Sequence, residues 1–164
     1  MLIRQKYHEF FMNTALEVAK LSKAKKLQVG AVLVRDSNIL SCGYNGTPPG
    51  WDNTCEDKEW MPIGGNLSDY PLEEYSALDG RVIGRYRLKT RPEVIHSEMN
   101  AILHLARRNE STIGTSMFVT HSPCSECAKL IIGAGIAEVY YRHEYRCSKG
   151  LELLKQAGLG VFAL

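Results

Sequence analysis

The sequence predicts an α/β fold, a layered sheet flanked by helices, and three features point to it. β-rich runs alternate with helically spaced apolar segments after residue 95, the pattern of βα units whose later strands can run parallel. Near the N-terminus two β-rich runs flank a very short turn, which makes a hairpin. Between these regions lies a long stretch with neither rhythm.

The elements follow in order. From about Lys6 to Ala24, the positions Phe10, Phe11, Thr14, Ala15, Val18 and Ala19 recur at helical spacing and predict one amphipathic helix. Val29–Val34 is β-rich, Asp36-Ser37-Asn38 reads as a turn, and a second strand runs from Ile39 to about Tyr44. From Asn45 to Ile95 the pattern fails: Pro, Gly, Trp51 and Trp60 gather there without a sustained period. A structureless loop of that length is unusual in a compact domain, so this insert is expected to hold short elements and to carry function. A helix is then predicted over about Ser97–Arg108 and a strand over Ser116–Thr120. A helix opening at Pro123, a strand at Glu138–Tyr141, a helix at about Ser148–Ala157 and a strand at Leu159–Ala163 complete the chain. The whole of 1–164 reads as one domain interrupted by the 45–95 insert, since 164 residues with 45% hydrophobic and 23% charged content suffice for one core.

Composition also narrows the function. No apolar run approaches the roughly 20 residues that span a bilayer, and the N-terminus carries charges where a signal peptide would be apolar. A cytoplasmic protein without a membrane partner is the simplest reading. Five cysteines, an odd number, in a chain read as cytoplasmic argue for reduced thiols used in metal binding or chemistry. The formal charge of only +2 lacks the basic excess of a nucleic-acid track. The clusters Lys20, Lys23, Lys25, Lys26 and Arg107, Arg108 suit local phosphate contacts instead.

The chemistry concentrates in two segments, His96-Ser97-Glu98 and Pro123-Cys124-Ser125-Glu126-Cys127. Together they read H-x-E … P-C-x-x-C, the signature of zinc nucleobase deaminases. A catalytic zinc takes three protein ligands and keeps a fourth position open for water. His96, Cys124 and Cys127 supply one nitrogen and two sulfurs. The C-x-x-C spacing at a helix start lets both thiolates converge, and proline at the front of that helix loses no bonded N–H. The positive helix end favours thiolate over thiol. Zinc held there lowers the pKa of bound water toward about 7. Glu98, two residues past His96, is badly placed to ligate beside it but well placed to move protons. A purely structural zinc would need a fourth Cys or His, for which Cys147 and His121 are available, though neither shares the paired spacing.

On these residues the chain resembles the deoxycytidylate deaminase family, particularly phage and bacterial members, over nearly its whole length. The resemblance rests on Val29-Gly30-Ala31-Val32, Gly43-Tyr44-Asn45-Gly46-Thr47-Pro48, His96-Ser97-Glu98-Met99-Asn100-Ala101, Thr120–Ala128 and Tyr145-Arg146. It implies a cytidine-deaminase-like three-layer α/β/α sandwich with a mixed five-stranded sheet. It also implies conversion of dCMP to dUMP and ammonia through hydroxide attack at C4, supplying dUMP for dTTP synthesis, with Glu98 as the proton shuttle. Asn45 would then bond the deoxyribose, Tyr145 would stack on cytosine, and Lys26 and Arg146 would hold the 5′-phosphate. The family is activated by dCTP and inhibited by dTTP, each with Mg²⁺. Gly43, Tyr44, Asn45 and Gly46 resemble the motif of that second site, although Asn-Gly also makes ordinary turns. Regulated members are typically hexamers, so a homo-oligomer is expected. The chain has Ser97 where alanine is usual, and Cys55 alone in the insert gives little for a second zinc. Cys42 reads as a packed strand residue.

Three other readings compete. A related zinc deaminase would act on a nucleoside, on dCTP or on a tRNA base; the modest charge speaks against tRNA, and Lys26 with Arg146 speaks for a phosphorylated substrate. A non-catalytic zinc module would have no need of Glu98. A single-strand nucleic-acid binder would use Trp51, Trp60, Tyr70 and Tyr75, yet their spacing is irregular and the insert is rich in acids.

Overall fold

The structure, a computed structural model, describes residues 3–164. In chain order, a 3-10 turn (Gln5–Tyr7) leads into α1 (His8–Ala19), followed by β1 (Gly30–Arg35) and β2 (Asn38–Tyr44). Next come β3 (Glu56–Trp60), β4 (Leu72–Tyr75) and β5 (Val82–Thr90). The chain ends with α2 (Ser97–Ala106), β6 (Ser116–His121), α3 (Ser125–Gly133), β7 (Glu138–His143), α4 (Lys149–Gln156) and β8 (Gly160–Ala163). β1 and β2 form the expected hairpin. Its turn places Asp36 and Ser37 at φ of 50° and 63°, the mirror-image geometry that matches strand twist.

The main sheet runs β2-β1-β6-β7-β8. β1 is antiparallel to both β2 and β6, while β6, β7 and β8 are mutually parallel. The sheet is therefore mixed and five-stranded, as the resemblance implied. Period-two alternation sorts its side chains onto two faces. Ala31, Leu33, Met117, Val119, Val139 and Tyr141 pack with α2, α3 and α4. Val32, Val34, Phe118 and Tyr140 pack with Phe11, Met12 and Ala15 of α1. Three layers result.

Two helix details differ from the sequence reading. α1 stops at Ala19 rather than Ala24, because Ser22 turns away and its Oγ donates to the Asn45 carbonyl at 2.7 Å. Within α1, Phe11, Ala15 and Ala19 of the inferred stripe are buried, but Phe10 is 58% exposed and Met12, outside that stripe, is fully buried in its place. Cys42 is also corrected: it is exposed on β2 rather than packed.

Part of the insert folds into a separate antiparallel sheet of order β3-β5-β4. Its strands read as charge, not as alternating apolar residues, because ion pairs decorate them: Lys58–Glu74, Arg85–Glu73, Arg87–Glu59 and Arg91–Asp57. The base of this sheet touches the main body through a small buried cluster of Ala24, Cys55 and Val94.

Candidate active site

The two signature segments meet at adjoining helix starts. His96 is the N-cap of α2 and Cys124 the N-cap of α3, both with extended backbone (φ −70°, ψ 155° and φ −70°, ψ 171°). An N-cap side chain ordinarily turns back onto the first free N–H groups. Neither of these does so; they turn toward each other. The helix bearing the two cysteines begins at Ser125, because the Cys124 carbonyl accepts the first helical bond from the Ala128 N–H at 2.9 Å. Pro123 therefore lies outside the helix, and the first-turn role inferred for it does not apply.

His96 Nδ1 stands 3.3 Å from Cys127 Sγ and 3.6 Å from Cys124 Sγ. One donor atom from each of the three residues lies within 4.8 Å of the others, and no other such trio occurs among the described residues. One nitrogen and two sulfurs at this spacing suit a zinc ion, whose bonds to them are about 2.0–2.3 Å. His121 and Cys147, available in sequence to close the site, are not in the group. Electrostatics favour a cation here. A hydrogen bond from Cys127, then one from His96, presses the Cys124 thiol down to about 3. Cys127, the donor in that bond and well buried, is pushed up.

Glu98 sits in the first turn of α2 and is only 4% exposed. Burial raises its carboxyl above the usual range, the direction that suits a group that must both take and give a proton. Ser97 Oγ donates to Glu98 Oε2 at 2.9 Å, so the serine that departs from the family pattern braces the carboxylate.

A cavity of about 380 Å³ opens beside these groups, within the usual range for small-molecule sites. It lies past the carboxyl ends of β6 and β7, where open α/β sheets bind ligands. His96, Glu98 and Cys124 line it together with Lys26, Asn45, Tyr145 and Arg146. Asn45 is already engaged: its Oδ1 accepts from Val29 N–H at 2.8 Å, and its Nδ2 donates to the Leu27 carbonyl at 2.9 Å. One amide hydrogen and one lone pair remain for a ligand. The Arg146 guanidinium lies 5.4 Å from the Tyr145 ring centroid and takes one face of that ring.

Sequence reasoning did not find Ser122, Glu56, Thr90 or Glu144, which also line the cavity. Ser122 Oγ accepts from Tyr145 N–H at 2.8 Å and thereby ties Tyr145 to the turn that bears Cys124. No spacing rule links residues so far apart in the chain; only the parallel pairing of β6 and β7 does.

Gly43, Tyr44 and Gly46 lie outside this cavity. A Cβ on Gly43 would stand 2.3 Å from the Ala101 nitrogen and 2.4 Å from the Ser97 carbonyl oxygen. The Tyr44 carbonyl accepts from Asn100 Nδ2 at 2.8 Å, and Gly46 exchanges two backbone bonds with Ile95. Helix packing thus explains the glycine at 43 without a ligand. Gly43→Ala should force β2 off α2 and destabilise the fold by about 2–3 kcal/mol, read from denaturant unfolding; an unchanged midpoint would show that the contact yields freely.

The model of the cytidine and deoxycytidylate deaminase zinc-binding region matches residues 5–143. The deoxycytidylate deaminase of Enterobacteria phage T4 is 34% identical, the match covering 92% of this chain and 88% of the phage protein. The human deoxycytidylate deaminase is 38% identical across 81% of this chain and 62% of its own length. Among solved structures, the dCMP deaminase of cyanophage S-TIM5 in complex with dCMP and dUMP superimposes with a TM-score of 0.76. That match has 34% identity and covers 99% of this chain and 100% of the cyanophage chain.

Proposed function

The chain belongs to the cytidine and deoxycytidylate deaminase family and is a zinc-dependent deaminase, and on that premise we propose that its substrate is dCMP, converted with water to dUMP and ammonia. The observation that carries the reading is one cavity lined both by the zinc-ligand and Glu98 cluster and by two cations, Lys26 and Arg146. A nucleoside would leave those cations without a partner, whereas a 5′-phosphate occupies them. The phage relative named for dCMP supports the same choice.

In this reading His96, Cys124 and Cys127 hold the ion. Bound zinc supplies Lewis acidity and makes water nucleophilic at neutral pH. Glu98 would take one proton as water adds to C4 of the pyrimidine and deliver it to N3, then take the proton of the new C4 hydroxyl and pass it to the amino group as the C4–N bond breaks, leaving the C4 carbonyl and ammonia. Tyr145 presents its remaining face to the base, and the free amide hydrogen of Asn45 meets the sugar. The regulatory part of the proposal is activation by dCTP and inhibition by dTTP, each with Mg²⁺, in a hexamer. It rests on the resemblance of Gly43–Gly46 to the family's effector motif, within which Tyr44 is the exposed side chain.

Ammonia release by the zinc-loaded protein tests the reading. Turnover of dCMP should exceed that of deoxycytidine by at least about 100-fold in kcat/KM, the loss expected when two charged contacts have no partner. Equal rates would move the substrate to a nucleoside, and no turnover at all would favour a non-catalytic zinc module. Adding dCTP–Mg²⁺ or dTTP–Mg²⁺ in parallel should raise and lower the rate. Indifference to both would leave the Gly43–Gly46 segment as helix packing alone.

A further inference from the structure

The 45–95 insert places one carboxylate, Glu56, in the wall of a cavity read above as the seat of an anionic substrate. A negative charge there opposes phosphate binding unless it does something else. Both of its oxygens are spent on backbone: Lys25 N–H donates to Oε2 and Lys26 N–H to Oε1, each at 3.1 Å. It grips the main chain of two consecutive lysines rather than either ammonium, and no ion pair among the described residues uses Lys26.

The surrounding bonds show why that grip matters. The segment between α1 and β1 has no strand or helix of its own. It is held at one end by Ser22 to the Asn45 carbonyl and at the other by Asn45 to the Leu27 carbonyl. Neither the Lys25 nor the Lys26 N–H has another partner among the described hydrogen bonds. Glu56 itself is well anchored. It opens β3 in register with Thr90 of β5, and the preceding Cys55 is buried against Ala24 and Val94. The Cys55 carbonyl also accepts from Arg91 N–H at 2.9 Å. The first residue of the small sheet, anchored at the sheet's base, thus reaches back to the lysine loop.

We propose that Glu56 is a positioning residue for the substrate phosphate: it clamps the Lys25–Lys26 backbone so that the Lys26 ammonium stays in the cavity, and so couples the insert to substrate affinity. The proposal rests on the reading of Lys26 as a phosphate contact, and the experiment separates the two.

Steady-state kinetics would be measured on zinc-loaded wild type, Lys26→Ala, Glu56→Ala, Glu56→Gln and the Glu56→Ala/Lys26→Ala double variant, with dCMP and with deoxycytidine. Glu56→Ala should raise KM for dCMP about tenfold, the worth of charge-assisted bonds to an exposed loop, with kcat within about twofold. Glu56→Gln, which keeps one acceptor and the side-chain volume, should fall between. The double variant should be no worse than Lys26→Ala, because a clamp on an absent ammonium has nothing to hold. Kinetics on deoxycytidine should not change. A Glu56→Ala loss shared equally by deoxycytidine, one that adds in full to that of Lys26→Ala, or no loss at all would overturn the proposal. If Lys26→Ala keeps the wild-type KM for dCMP, the phosphate reading fails first and the clamp falls with it.

Discussion

Glu98→Gln should retain its zinc at wild-type stoichiometry and lose at least about a thousandfold in kcat, within the range of a proton-transfer group taken out of a transition state. The expectation follows from where the carboxylate sits. It is not among the three donors that converge on the ion site, so its loss should leave the metal in place. It is buried at 4% exposure beside them, so solvent is poorly placed to substitute as the proton carrier. Burial is also the leading reason its carboxyl is raised; a neutral amide of the same shape relieves that desolvation, and the fold should not suffer. Zinc content, circular dichroism and ammonia release on one preparation decide the matter. Full activity in a zinc-replete variant would remove Glu98 from the mechanism, and loss of zinc with activity would make it part of the metal site. Because Ser97 Oγ holds one carboxylate oxygen, Ser97→Ala should show a much smaller loss of the same kind.

The part of this site legible in the sequence is the part built from short-range spacing. His96 and Glu98 share a helix start, as do Cys124 and Cys127, so their grouping follows from local geometry before any tertiary contact is known. The hairpin and the parallel β6–β7–β8 run were legible because β1, β6 and β7, the central strands, are largely buried and carry a dense apolar signal. β3 was not: Glu56-Asp57-Lys58-Glu59-Trp60 faces solvent on both sides and pairs charge with charge, so no alternation is written into it. Glu56 was illegible for a second reason. It meets Lys25 and Lys26 across some thirty residues of chain, and nothing about an acid in an acid-rich insert marks the one that turns inward. Pro123 shows the opposite error. A helix rule applied one step too early placed it in the first turn, where Cys124, by accepting the first helical bond, takes the cap position. The close approach of Gly43 to α2 was likewise not written in the sequence, because the residues it meets, Ser97 and Ala101, lie more than fifty positions away.

Cys124 stands at two positions at once, in the proposed ligand trio and at the helix N-cap, and a pair of variants can separate them. Cys124→Ala should leave two donors of three and lose both zinc and turnover, the latter to background. Cys124→Ser should lose zinc nearly as completely, since a hydroxyl is a poor substitute for thiolate on this ion. It should nonetheless restore an N-cap that cysteine does not supply, because its side chain makes no capping bond in the wild type. Serine at that position is worth about 0.5–2 kcal/mol over alanine. With chelator present throughout, so that metal contributes nothing to any sample, Cys124→Ser should therefore unfold at higher denaturant than Cys124→Ala by that margin. The two variants would then be equally inactive and unequally stable, a combination that a purely structural cysteine does not produce. A metal-replete, active Cys124→Ala would instead break the ligand assignment, and with it the reason for both helix starts to turn their caps toward each other rather than toward their own backbones.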